Sequence, residues 1–236
     1  MKIHIFKFTA IVLIVAGSFS SCEEDISSSE SIVAKVKNAD EFSNVLVVKL
    51  MECDFSFFSR SVELARGDWK DGGFTIVLPK TLNLNTMEAL IHSNCYPTNT
   101  MVVQPTMTIS NENAKIKNVQ FVGFEKNDNA VASFTLFKAD KMDIDQAVFT
   151  YVDSDVTISG YTKVEGPANP QLGHGDYNRF EIITTYSVEW KKGWNVWFYS
   201  RYPHKIIDNT AVTTEQWTSI PVSSLQWRGS SLSIDF

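Results

Sequence analysis

Residues 186–199 read YSVEWKKGWNVWFY, and the fold follows from how that stretch alternates. Successive side chains of a strand point to opposite faces, so parity sorts the residues on either side of the Lys191-Lys192-Gly193 turn. One face is predicted to collect Phe180, Ile182, Tyr186, Val188 and Trp190 with Trp194, Val196 and Phe198, a set suited to a core. The other collects Glu181, Thr185, Ser187 and Glu189 with Asn195, Trp197, Tyr199 and Arg201.

Outward from this hairpin the chain repeats short runs of β-branched and aromatic residues separated by turn chemistry, the mark of a β-sandwich or barrel. Strands are expected at 32–37, 45–52, 61–66 and 74–78, then at 106–109, 115–125, 131–138, 147–152, 156–162, 179–190, 194–201, 216–222 and 232–236. Asp71-Gly72-Gly73 supplies a turn, because glycine takes positive φ without strain, and Pro79 stops the strand that follows. Residues 86–93, TMEALIHS, are the one helical pattern: Met87, Leu90 and Ile91 fall at i, i+3 and i+4, and Asn85 or Thr86 can cap them. Residues 94–105 are rich in Asn, Thr and Pro and predict a boundary. The expected fold class is therefore all-β, an antiparallel β-sandwich of one or two domains with one short helix, divided as residues 31–104 and 105–236. Residues 164–176 gather Gly, Pro and Asn and are expected to form an exposed loop.

Composition agrees with a folded globular chain. Of 236 residues 44% are hydrophobic and 20% charged, with 11 Gly and 7 Pro, which excludes disorder, collagen and a multi-span membrane protein. A net charge of -6 and a pI near 5.2 leave no basic field for a phosphate backbone, so nucleic acid is not an expected partner.

The first 21 residues read as a signal peptide: Lys2 and Lys7 precede the apolar run at 8–17, and small residues Ser18, Ser20 and Ser21 follow. That run is about half of the ~20 apolar residues a spanning helix needs. Phe19-Ser20-Ser21-Cys22 resembles a bacterial lipobox, with Phe19 where Leu is usual, and makes Cys22 the expected lipid attachment site. Acyl chains contribute about 0.8 kcal/mol per buried CH₂, so a triacylated terminus would hold the protein on a membrane without a transmembrane helix. Residues 22–30 then form an acidic, Ser-rich tether in which Glu23, Glu24 and Asp25 are similar to the surface-export signal of Bacteroidota lipoproteins. The alternative is an incidental cysteine in an ordinary secreted protein.

With Cys22 lipidated, Cys53 and Cys95 remain, able to form one disulfide outside the cytoplasm or to stay buried as small hydrophobes. They lack the spacing of a zinc site. His4, His92, His174 and His204 are scattered without an HExxH pattern, and GxSxG, Walker and GxGxxG motifs are missing, so no enzyme, metal or cofactor is predicted. The acidic runs at 140–145 and 153–155 could hold Ca²⁺, but they lack its loop pattern and suit turns as well. Arg66-Gly67-Asp68 spells the integrin-binding tripeptide, against the plainer reading of a strand end.

The segments ELARGDWKDGGFTIVLP (63–79), YVDSDVTISG (151–160) and YSVEWKKGWNVWFY (186–199) resemble a group of lipoproteins from gut Bacteroidota over most of the mature chain. The resemblance implies an outer-membrane address and an all-β fold, and it implies no reaction.

The expected function is a lipid-anchored cell-surface binding protein. Trp197 and Tyr199 beside Arg201 and Asn195 are what a glycan platform would use, with rings for the C–H face of a sugar and planar polar groups for its hydroxyls. Against this stands burial of both rings under another part of the protein. The alternative function is a structural or adhesive subunit that pairs with a protein partner through exposed strand edges. A third is a hydrolase built on two facing carboxylates.

Overall fold

The β-branched and aromatic runs become strands throughout the computed structural model, which describes residues 31–52, 62–83, 88–89, 101–140, 143–167 and 178–232. In chain order these are β1 (Ser31–Lys35), β2 (Val47–Glu52), β3 (Glu63–Lys70), β4 (Gly73–Val77), β5 (Glu88–Ala89), β6 (Met101–Pro105), β7 (Thr108–Ile109) and β8 (Lys115–Phe124). They continue as β9 (Ala130–Asp140), β10 (Asp143–Val152), β11 (Val156–Pro167), β12 (Arg179–Trp190), β13 (Gly193–Ile207), β14 (Thr210–Thr218) and β15 (Gln226–Ser231). A single 3₁₀ turn, Ala39–Phe42, follows β1. The protein is all-β, and β12 with β14 is the one parallel strand pair among the described residues.

The first half of the sheet returns on itself. β1 pairs with β4, β4 with β3, β3 with β2, β2 with β8, β8 with β9 and β9 with β15. A parallel bridge from Val36 to Trp227 then joins the end of β1 to β15. The resulting circuit encloses a core of Val48, Leu50, Phe74, Ile76, Phe121, Phe134 and Trp227. The join is a single bridge, and with the Lys37 N–H donating to the Trp227 carbonyl it pairs backbone groups at the end of β1 that an open edge would leave unpaired. Asn38 clamps the 3₁₀ turn to the last strand: its Nδ2 donates to Gly229 O at 3.0 Å, and its Oδ1 accepts the Gly229 N–H at 3.0 Å.

β8 also begins the second half. Its later residues pair with β9, whereas Ile116–Val119 pair with Val152–Phe149 of β10. From β10 the sheet runs through β13, β14, β12 and β11 to β6, with β7 also on β11. Its core gathers Ile116, Val152, Val156, Ile158, Val188, Trp190 and Trp197.

Several expected elements change. Glu88–Ala89, within the predicted helix, form strand β5 against Ile116 and Lys115; the rest of residues 86–93 lies outside the described residues. β2 stops pairing at Val119, which leaves backbone groups of β8 open to another strand, and an isolated two-turn helix gains too few hydrogen bonds to compete.

β12 and β13 are not hydrogen-bonded neighbours. β13 runs on to Ile207, reverses at Asp208 (φ 47°) and Asn209 (φ 59°), and returns as β14, which inserts between them. Two successive positive φ values are the tight-hairpin geometry, and the strand at Thr210–Thr218 replaces most of the one expected at 216–222. β15 spans Gln226–Ser231 and Leu232 lies past its end; residues 233–236 of the strand expected at 232–236 lie outside the described residues.

The loop expected from residue 164 is strand as far as Pro167, paired with Arg179; residues 168–177 lie outside the described residues. The boundary expected at residues 104 and 105 falls inside β6, and β2 and β8, from either side of it, lie side by side in the sheet.

Candidate functional site

The residues singled out for binding all belong to β13, and its register with its neighbours decides their surroundings. One face carries Ile144, Arg201, Glu215 and Thr184 in a row across β10, β13, β14 and β12. The next row on that face is Gln146, Tyr199, Trp217 and Tyr186.

Insertion of β14 reverses the predicted parity at the apolar end. Trp197, only 5% exposed, joins Tyr186, Val188 and Trp190 in the core, whereas Val196, expected in the core, is 42% exposed. The Trp197 ring stacks on Trp217 with centroids 4.6 Å apart and lies 6.1 Å from Trp190. A sugar cannot reach a ring covered on that scale, so Trp197 serves the core and does not form the expected platform.

Asn195 closes the turn. Its Oδ1 accepts the Lys191 N–H at 3.0 Å, and its Nδ2 donates to the Lys191 and Gly193 carbonyls at 2.7 and 3.0 Å. Asp155 supports the same turn by accepting the Lys192 N–H at 2.8 Å and the Lys191 ammonium at 3.1 Å. Those contacts hold the Asp155 carboxyl below its ordinary range, the backbone N–H of Lys192 contributing most.

Tyr199 and Arg201 are brought together by a residue absent from the sequence-based set, Glu215. The Tyr199 hydroxyl donates to Glu215 Oε1 at 2.8 Å, Thr184 Oγ1 donates to Oε2 at 3.2 Å, and Arg201 Nε stands 3.8 Å from Oε1. Half-burial pushes the Tyr199 phenol well above the usual tyrosine range, and the bond to the Glu215 carboxylate adds to it. The Glu215 side chain is 17% exposed and Arg201 49% exposed, so the carboxylate is enclosed and the guanidinium faces outward. Glu215 escapes the sequence reading because the expected strand begins only at Gln216; the Asp208-Asn209 pair is the turn signal that moves its start back to Thr210.

Other candidates take plainer places. Arg66-Gly67-Asp68 lies inside β3, paired with Lys49, Val48 and Val47 of β2, and Arg66 forms a two-point ion pair with Glu63. A Cβ on Gly67 would come within 2.0 Å of the Thr75 carbonyl oxygen, so the glycine is there for close packing of strands. An integrin-type loop is not formed. Asp153 accepts the Lys115 N–H and the Ser154 hydroxyl, both at 2.8 Å, in a turn. Two carboxylates do face each other: Glu165 and Glu181 are cross-strand partners, with Lys163 Nζ 2.6 Å from Glu181 and 3.9 Å from Glu165, and Arg179 on Glu165 at 3.5 Å. That arrangement is an ion-pair ladder. His204 is exposed on β13, and Cys22, Cys53, Cys95, His92 and His174 lie outside the described residues. Among the described residues no group of three or more His, Cys, Asp or Glu could hold a metal ion, and no helix is long and apolar enough to cross a membrane.

No protein family, curated protein or solved structure matches this chain.

Proposed function

We propose that the protein is a lipid-anchored cell-surface binding protein whose ligand is a glycan, and that it carries out no reaction of its own. The lipobox-like Phe19-Ser20-Ser21-Cys22 and the acidic residues behind it support the address. The observation that carries the binding reading is Arg201. Its half-exposed guanidinium is placed, without being consumed, by an enclosed Glu215 that Tyr199 and Thr184 already satisfy. Such a cation offers several planar donors to ring hydroxyls or to the carboxylate of an acidic sugar. Trp197 and Asn195 leave the binding set, for the reasons above.

The alternative of strand addition has two open edges in its favour among the described residues: β6, a five-residue strand that ends in Pro105 and lies last in the sheet order, and the far part of β13. Among the described residues, β13 beyond Arg201 is paired on one side alone, by β14. The same segment carries Pro203, Lys205 and a register shift between Tyr202 and Lys205, three devices that discourage edge-to-edge pairing. The glycan reading is therefore preferred.

Two measurements test it. Cys22→Ala should abolish incorporation of labelled fatty acid and release the chain from the membrane fraction. A glycan array probed with the full chain should show binding that Arg201→Ala weakens by about tenfold, the loss of one charge-assisted contact. A folded protein that binds no glycan would overturn the reading.

A further inference from the structure

The opposite face of the same strands carries a second polar row. Lys138, Asp145, Ser200, Gln216 and Thr185 lie in register across β9, β10, β13, β14 and β12. Ser200 is 3% exposed, and its hydroxyl donates to Asp145 Oδ1 at 2.6 Å, which fixes the carboxylate at the floor of a shallow depression of ≈ 290 Å³. Tyr202, 42% exposed, stands on one side, and Ile220, Pro221 and Val222 form the other.

That wall is held in place. Ile220 N–H donates to Thr218 Oγ1 at 3.0 Å, and Ser219 N–H donates to the Ser187 carbonyl at 3.1 Å. Ser219 Oγ accepts the Glu189 N–H at 2.8 Å and donates to the Glu189 carbonyl at 3.0 Å. The depression thus has a fixed polar floor between an exposed aromatic ring and an apolar rim, the mixture that small-molecule sites use for shape and orientation.

We propose that this depression is a subsite for one neutral hexose ring. The ring of Tyr202 and the rim at Ile220 cover the sugar's C–H face, while the Asp145 carboxylate accepts hydroxyl protons and the Gln216 carboxamide both donates and accepts. The volume lies at the low end of the roughly 300–1,000 Å³ typical of small-molecule sites, which suits a single ring. Among the described residues the one charged side chain lining the depression is the Asp145 carboxylate, which repels an anion and leaves a ring rich in hydroxyl donors as the ligand that the Gln216 carboxamide and the Tyr202 ring also suit. The proposal takes its ligand class from the glycan reading, and it places the sugar on the face opposite Arg201.

The test is saturation-transfer NMR on the full chain in a detergent without a sugar headgroup. The probes are D-glucose, D-galactose, D-mannose and N-acetylglucosamine, with choline and glucuronate as the charged controls. At least one neutral sugar should bind in preference to both controls. Tyr202→Ala should weaken it by about tenfold through loss of the aromatic contact. Tyr202→Phe should retain it, and Gln216→Ala should weaken it by a smaller factor. Melting curves identify any variant that fails to fold, and the Tyr202→Phe and Gln216→Ala pair then decides the matter. Preference for choline or glucuronate, or neutral-sugar binding indifferent to Tyr202 and Gln216, overturns the subsite. Binding that Arg201→Ala abolishes and Tyr202→Ala spares removes this subsite and keeps the glycan reading. No neutral sugar bound, alongside a positive array, likewise removes the subsite alone.

Discussion

Val36 and Trp227 are bridged in parallel although they lie near opposite ends of the chain, and that bridge completes the circuit of β1, β4, β3, β2, β8, β9 and β15. Backbone closure and core packing meet at this point. The Lys37 N–H donates to the Trp227 carbonyl at 2.9 Å, while the Trp227 ring lies 5.4, 5.1 and 5.8 Å from the rings of Phe74, Phe121 and Phe149.

Trp227→Ala should therefore cost about 3–5 kcal/mol, the range for truncating a buried aromatic. Equilibrium unfolding in urea measures it, and the loss should be seen equally by far-ultraviolet dichroism and by fluorescence. A midpoint that does not move would mean that the last strand lies outside the cooperative unit.

Trp197 yields a prediction that separates packing from binding. It is 5% exposed, with its ring stacked on Trp217, so Trp197→Ala should also cost about 3–5 kcal/mol of stability. Trp197→Phe should cost much less. The indole N–H of Trp197, like those of Trp190 and Trp217, is buried without a hydrogen-bond partner, and removing such a donor recovers part of its desolvation penalty of about 1–3 kcal/mol. Melting curves of both variants test this, and an Ala variant as stable as the parent would return Trp197 to the surface.

The contrast between these two tryptophans also explains what was legible in advance. Strand identity was readable wherever β-branched and aromatic residues ran together, because that pattern depends on local chemistry; β8 at Lys115–Phe124 and β12 at Arg179–Trp190 fall almost where expected. The neighbour of each strand was not readable. Parity across Lys191-Lys192-Gly193 assumed a hairpin, and once β14 occupies the place between β12 and β13, the face on which Trp197 sits changes from platform to core. Tyr199 and Arg201 were found for their chemistry, whereas Glu215, which joins them, depends on long-range pairing. The row of Asp145, Ser200 and Gln216 comes from three strands and has no signature in any one of them.

Acid should act through the turn before β13. Asp155 has its carboxyl lowered from 3.8 by the Lys192 N–H first and by Lys191 next. A depressed carboxyl contributes stability that is present above the unfolded value and is lost as pH falls through the folded one. The parent should therefore lose stability more steeply than Asp155→Ala when melting is followed over roughly pH 5 to 2. Parallel curves for the two proteins would show that the exposed Asp155 contributes nothing to acid sensitivity.

Alkali tests the pair at the centre of the candidate site, with the opposite sign. Tyr199 has its phenol raised by burial first and by the Glu215 carboxylate second, whereas Arg201 works to lower it. A raised acid is stabilised in its neutral form when folded, so this contribution is complete below the unfolded value of 10.0 and declines as pH rises through the folded one. Ultraviolet titration should show a late-ionising phenol that disappears in Tyr199→Phe. Glu215→Gln should bring that phenol to lower pH by removing the facing charge, and Arg201→Ala should push it higher still. If the late phenol survives in Tyr199→Phe, Glu215 is not holding Tyr199 neutral, and the support that turns Arg201 outward is lost with it.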